Sequence, residues 1–133
     1  MKKITILLVI IFTFLFSTTS WGDWNYVTNN VRGYKYYYDK DRIRKSGKFL
    51  YFWELTDDPK PSEWGNWSST QYVQLDCSIF RFKVLKFHTY NKSMGEGNIT
   101  TDMTPKGKHG EWKYPTLNSS PEYMYEKICE EHQ

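Results

Sequence analysis

Cysteine is scarce: Cys77 and Cys129 are the only two, so a single intramolecular disulfide is the most the chain can form. Two sulfurs with no other ligands clustered around them fall short of a structural zinc site. Histidine is scarce too, with His88, His109 and His132 far apart in sequence and no Ser, Cys or carboxylate motif beside them. Catalysis needs a convergent acid, base or nucleophile, so the expectation is a non-enzyme with no catalytic residues and no metal. Outside the first 22 residues the chain contains no alanine and little leucine, which removes the strongest helix formers. It also lacks a charge excess. The formal net charge is +3, and setting aside Lys2 and Lys3 leaves 16 basic side chains against 15 acidic ones, a net of +1. Nucleic acid is therefore not an expected partner.

No long hydrophobic run is present either. The apolar stretch from Ile4 to Phe16 is shorter than the roughly 20 residues a membrane-spanning helix needs. Preceded by Lys2 and Lys3 and followed by a short polar stretch, it reads as a secretory signal over residues 1–22. Ser20 and Gly22 flank Trp21 as a small-x-small cleavage site, and a cut after Ser20 fits as well. The mature chain, residues 23–133, has the length of one domain and is expected to be exported, periplasmic or secreted, without stable membrane insertion. No cysteine lies near the cleavage site to carry a lipid anchor. In an oxidising compartment Cys77 and Cys129 are expected to pair, the alternative being two buried free thiols.

What the chain has in abundance is aromatic residues: eleven Tyr, eight Phe and six Trp. That composition favours strands. Strands are predicted over 24–28, 34–38, 49–56, 68–77, 79–90 and 98–103, separated by turns rich in Asn, Gly and Pro. Residues 39–44 read as a short turn or one helical turn. In 49–56, Tyr51, Trp53 and Leu55 share one face and Leu50, Phe52 and Glu54 the other. In 79–90, Phe80, Phe82 and Val84 alternate with Arg81 and Lys83, but Leu85 and Phe87 then alternate with Lys86 and His88 in the opposite phase. A bulge or sharp bend at Val84–Leu85 repairs this, which predicts a strongly curved sheet. The C-terminal segment is helical, with Ser120 as N-cap and Pro121 at the first helical position, and Met124, Tyr125, Ile128 and Cys129 forming one apolar stripe.

Two groups of residues are candidates for binding. Trp64 and Trp67, in a loop broken by Pro59, Pro61 and Gly65, are either exposed anchors or folded back over the sheet edge. Arg81, Lys83, Lys86 and His88 form a polar row along one strand that could meet an acidic partner or could simply be solvated.

The run Tyr36-Tyr37-Tyr38-Asp39, followed by Ile43-Arg44, Gly47 and Trp53-Glu54-Leu55-Thr56-Asp57, resembles the first half of the surface-adhesin protein E-like domain family. Leu75-Asp76-Cys77, Arg81-Phe82-Lys83, Tyr90, Ser93-Met94-Gly95-Glu96-Gly97, Trp112 and a final helix carrying Cys129 follow the order of its second half. The resemblance implies an α+β fold: a curved six-stranded antiparallel sheet with a C-terminal helix disulfide-linked to it. It also implies a binding module for protein ligands, host extracellular-matrix and serum glycoproteins such as laminin, vitronectin and plasminogen among them. Haem is a further ligand implied by the resemblance; no other cofactor is expected, and the available haem ligands are His88, His109, Met94 and the tyrosines. The alternatives are a periplasmic accessory or structural factor and a secreted enzyme inhibitor. Ligand identity and oligomeric state stay open.

Overall fold

The computed structural model describes residues 23–132, so the signal expected over 1–22 lies outside the described residues. An antiparallel sheet is built from β1 (Trp24–Asn29), β2 (Lys35–Asp39), β3 (Arg44–Ser46), β4 (Phe49–Asp57), β5 (Ser68–Asp76), β6 (Arg81–Tyr90) and β7 (Ile99–Met103), and among the described residues one α-helix, α1 (Ser120–His132), follows it. The strand order is β1-β2-β4-β5-β6-β7. The short β3 pairs with the N-terminal half of β4 while β2 pairs with its C-terminal half, so β2 and β3 share one edge of β4. Between them the chain takes the single helical turn expected there, a 3-10 turn over Lys40–Arg42. β3 itself was not expected, because Arg44, Lys45 and Ser46 are all exposed and carry no apolar alternation. Its pairing is imposed by the tight reversal at Gly47, whose φ of 61° suits glycine.

The phase slip in β6 is repaired by a bulge. Tyr72 faces Lys86 and Val73 faces Val84, leaving Leu85 as the unpaired residue. Phe82, Val84 and Phe87 are thereby kept on one face, and Arg81, Lys83, Lys86 and His88 on the other. The extra residue also bends the strand and raises its twist. The reversal into β6 spans Cys77 to Phe80 rather than Ser78 alone. Its organiser is the Asp76 carboxylate, which accepts from Ser78 N (3.1 Å), Ser78 Oγ (2.6 Å), Ile79 N (3.4 Å) and Arg81 Nε (3.3 Å). These donors, the Ser78 hydroxyl foremost, hold Asp76 below the usual carboxylate range although it is buried.

α1 lies over one face of the sheet. Met124, Tyr125, Ile128 and Cys129 are all buried and pack with Tyr38, Leu50, Phe52, Val73 and Leu75 in a single core. Cys129 is joined to Cys77, just beyond β5, with 5.7 Å between Cα atoms and 52 residues of separation. The helix start is one residue earlier than expected. Ser119 rather than Ser120 is the cap: its carbonyl accepts from Tyr123 N and its Oγ from Glu122 N (3.2 Å each). Glu122 Oε1 in turn accepts from Asn118 N at 3.0 Å, a Ser-x-x-Glu arrangement close to a capping box that only Ser119 has the spacing to make.

Glu54 is the one carboxylate on the helix-covered stretch of β4, only 5 % exposed. Tyr125 Oη donates to its Oε2 at 2.9 Å. Burial pushes the Glu54 carboxyl up to about 7, with the Tyr125 hydrogen bond opposing only part of that rise. The carboxyl thus keeps its proton through mildly acidic pH and gives it up around neutrality, and the Tyr125 hydroxyl, buried beside it, is raised well above its ordinary range.

Candidate functional site

With α1 covering one face of the sheet, the opposite face keeps its rings at the surface. Alternation along β4 sends Phe49, Tyr51, Trp53 and Leu55 there, and the register with β5 and β6 adds Tyr72, His88 and Tyr90. Leu55 alone is fully covered, by the 3-10 turn Ser93–Gly95. That turn has to come close: a Cβ on Gly95 would stand 3.0 Å from Leu55 Cδ1, and its φ of 68° favours glycine. Gly95 N donates to Ser68 Oγ (2.9 Å) and Met94 N to Asp57 Oδ1 (2.8 Å), fixing the turn on the sheet.

The other rings stay half-buried and form a row that crosses three strands. Tyr51 lies 6.3 Å from Tyr72, Tyr72 5.1 Å from Trp53, Trp53 5.5 Å from His88 in a stacked pair, and His88 6.3 Å from Tyr90. Each such pair contributes about 0.5–1.5 kcal/mol beyond area burial, so neighbours hold the ring orientations. A second cluster lies at the Phe49 end, where Trp112 packs 5.5 Å from Phe49. Trp112 arrives there because Lys113 bridges to Phe82 on the outer edge of β6.

Cations border this row. The Arg44 guanidinium lies 4.7 Å from the Tyr51 centroid, Arg81 4.4 Å and Lys83 5.6 Å from that of Trp112, and Lys48 Nζ 5.4 Å from that of Phe49. Lys86 is exposed and stands across from Tyr72. Arg81 is engaged by buried Asp76, and His88 Nε2 lies 3.0 Å from Asp102 Oδ1. Among the described residues Arg44, Lys83 and Lys86 have no carboxylate within ion-pair distance. The polar row expected from the sequence is therefore one border of an aromatic platform, and the platform itself was missed. Its signal was present as Tyr51 and Trp53 on one face of β4, but Tyr72 and Trp112 join them only through long-range pairing.

The two loop tryptophans separate. Trp64 is 81 % exposed at the tip of the β4–β5 loop. Ser62 Oγ accepts from the backbone N of Trp64 (3.3 Å) and of Asn66 (3.1 Å), so the tip is an ordered turn. Trp67 is half-buried and tied to the end of the sheet, its N donating to Tyr90 O and its O accepting from Asp58 N, both at 2.9 Å. Of the candidate haem ligands, the two histidines His88 and His109 are set apart, and it is a tyrosine, Tyr90 at 6.3 Å, that stands near His88. His88 is on the open face, while His109 lines a cleft of about 250 Å³ with Val84, Phe87 and Met103, whose sheet residues belong to the opposite face. Among the described residues no cluster of three His, Cys, Asp or Glu has the geometry to hold a metal ion.

Comparison with solved structures finds this fold in Haemophilus influenzae protein E. Its crystal form II matches with a TM-score of 0.62 at 18% sequence identity, covering 86% of this chain and 93% of that one. The selenomethionine form matches with a TM-score of 0.59 at 19% identity, covering 85% and 90%. Comparison with curated proteins found no match. The family model described as surface-adhesin protein E matches residues 24–130, and the chain belongs to that family.

Proposed function

We propose that this chain is an exported, non-enzymatic binding module that holds a host extracellular-matrix glycoprotein on the open face of its sheet. The observation that carries the reading is the half-buried row Tyr51, Tyr72, Trp53 and His88, with Arg44, Lys83 and Lys86 beside it and unpaired among the described residues. Rigid aromatic rings next to arginine are the composition of binding hot spots, because they offer large contact area with little side-chain entropy to lose. Membership of the surface-adhesin protein E family supports a role in attachment. Among the described residues no helix is long and apolar enough to cross a membrane.

Immobilised laminin tests the reading. Purified residues 23–133 should bind saturably, and Trp53→Ala combined with Tyr72→Ala should weaken binding about tenfold or more while the circular dichroism spectrum stays unchanged. Saturable binding that ignores both substitutions would move the site elsewhere, Trp64 being the next candidate. Proteolysis of intact cells separates a displayed adhesin, which is cut, from a periplasmic accessory factor, which is spared.

Haem is not part of this reading. His88 and His109 are on opposite faces, and the His88 ring is already engaged by Trp53 and Asp102. Titration of hemin into the purified domain should leave its Soret band unshifted, whereas a shift abolished by His88→Ala would place haem on the open face.

A further inference from the structure

Resting on the reading of the open face as the binding face, the charge around it selects among ligand classes. Rings in a row offer flat apolar surfaces of the size of one pyranose. The C–H-bearing faces of a sugar ring pack against such surfaces, while its hydroxyls stay in water. The row is long enough for a chain of sugars rather than one: it runs through four successive ring pairs, from Tyr51 by way of Tyr72, Trp53 and His88 to Tyr90, with neighbouring centroids 5.1–6.3 Å apart. Neutral sugars would need only the rings. Here cations flank the row on both sides, Arg44 from β3 and Lys83 and Lys86 from β6, and among the described residues none of the three has a carboxylate partner. Of the carboxylates on this face, Asp76 is engaged by Arg81 and the Ser78 turn and Asp39 by Arg42, with Asp39 Oδ1 left without a partner among the described residues, while Asp57 accepts from Met94 N and the exposed Asp102 lies beside His88. At Arg44, Lys83 and Lys86 an acidic ligand thus meets cations that have no ion-pair partner among the described residues.

We propose that the open face binds an acidic polysaccharide, its sugar rings stacked on Tyr51, Tyr72 and Trp53 and its carboxylate or sulfate groups paired with Arg44, Lys83 and Lys86. A matrix glycoprotein rich in acidic glycans would then be held through its carbohydrate.

Calorimetric titration of residues 23–133 with a hyaluronan decasaccharide, which carries one carboxylate per disaccharide, tests this directly. Expected is binding that weakens with added salt, about tenfold weaker for Trp53→Ala with Tyr72→Ala and retained in Trp53→Phe, which keeps a ring. Lys83→Ala with Lys86→Ala should flatten the salt dependence, and a neutral chitin hexamer should bind at least tenfold more weakly than hyaluronan. Absence of hyaluronan binding in a protein that still captures laminin overturns the proposal and leaves the binding face standing. Loss of both overturns both. Hyaluronan binding indifferent to the ring substitutions is charge attraction alone and overturns it too. So does tighter, ring-dependent binding of a ten-nucleotide oligothymidylate, which would make the occupant a single-stranded nucleic acid.

Discussion

Replacing Cys129 with serine is expected to lower the melting temperature of the mature domain by roughly 20 °C. The bond joins points 52 residues apart, and in the chain-entropy account closing a loop of that length removes about 4 kcal/mol of freedom from the unfolded ensemble. That is a large fraction of the stability of a domain this size. The native structure explains why the effect is felt at α1. Met124, Tyr125 and Ile128 are fully buried against Leu50, Phe52, Val73 and Leu75, and Cys129 lies one turn from Tyr125 on the same stripe. A short helix has little stability of its own, so its docking and its folding are one event. Thermal unfolding under oxidising conditions checks this, with the reduced wild type expected to behave like Cys129→Ser. Equal melting points for wild type and variant would show that α1 is held by packing alone.

Glu54→Gln is expected to stabilise the protein at pH 8 by roughly 3 kcal/mol and to flatten its pH profile. In the unfolded chain Glu54 has an ordinary carboxyl pKa near 4.3. In the native state burial holds it at about 7, and the proton is kept. Between these values the folded protein binds a proton that the unfolded chain does not, so stability falls as pH rises from about 4.5 to 7 and is level above. Glutamine keeps the acceptor for Tyr125 Oη without the charge. Asp58, raised to about 6 chiefly by burial and then by Asp57, gives a smaller slope of the same sign that the substitution leaves in place. Asp76 acts in the opposite sense: its lowered pKa gives stability present above about pH 4 and lost as pH falls further. Wild-type stability should therefore peak near pH 4.5. Urea unfolding at intervals from pH 3 to 8 measures both limbs, and parallel slopes for wild type and Glu54→Gln between pH 4.5 and 7 would contradict the assignment.

The parts of this architecture legible in the sequence are those set by local periodicity. Alternation in Phe49–Asp57 and the phase slip at Val84–Leu85 place the faces correctly because side-chain direction in a strand has period two. The stripe Met124, Tyr125, Ile128 and Cys129 follows from the helical period in the same way. What periodicity cannot supply is partnership. Glu54 shares a face with Leu50 and Phe52 in the sequence, but Tyr125, which makes its burial tolerable, is 71 residues away. The same holds at the site. Arg81, Lys83, Lys86 and His88 are legible as a row, yet their company of Tyr51, Trp53 and Tyr72 depends on the β4–β5–β6 register, and that of Trp112 on a single bridge from Lys113 to Phe82. β3 has no apolar signal at all, and the helix cap is ambiguous because Ser119 and Ser120 are both competent and only Ser119 is three residues before Glu122.

Hydroxyl-radical footprinting of the mature protein on laminin, read residue by residue, bears most directly on the claim that the uncovered sheet face is the binding surface. Tyr51, Trp53 and Tyr72 should be protected on binding, while Tyr123, 53 % exposed on the outer side of α1, should oxidise as in the free protein. Protection of Tyr123 with unchanged oxidation at Trp53 and Tyr72 would contradict it.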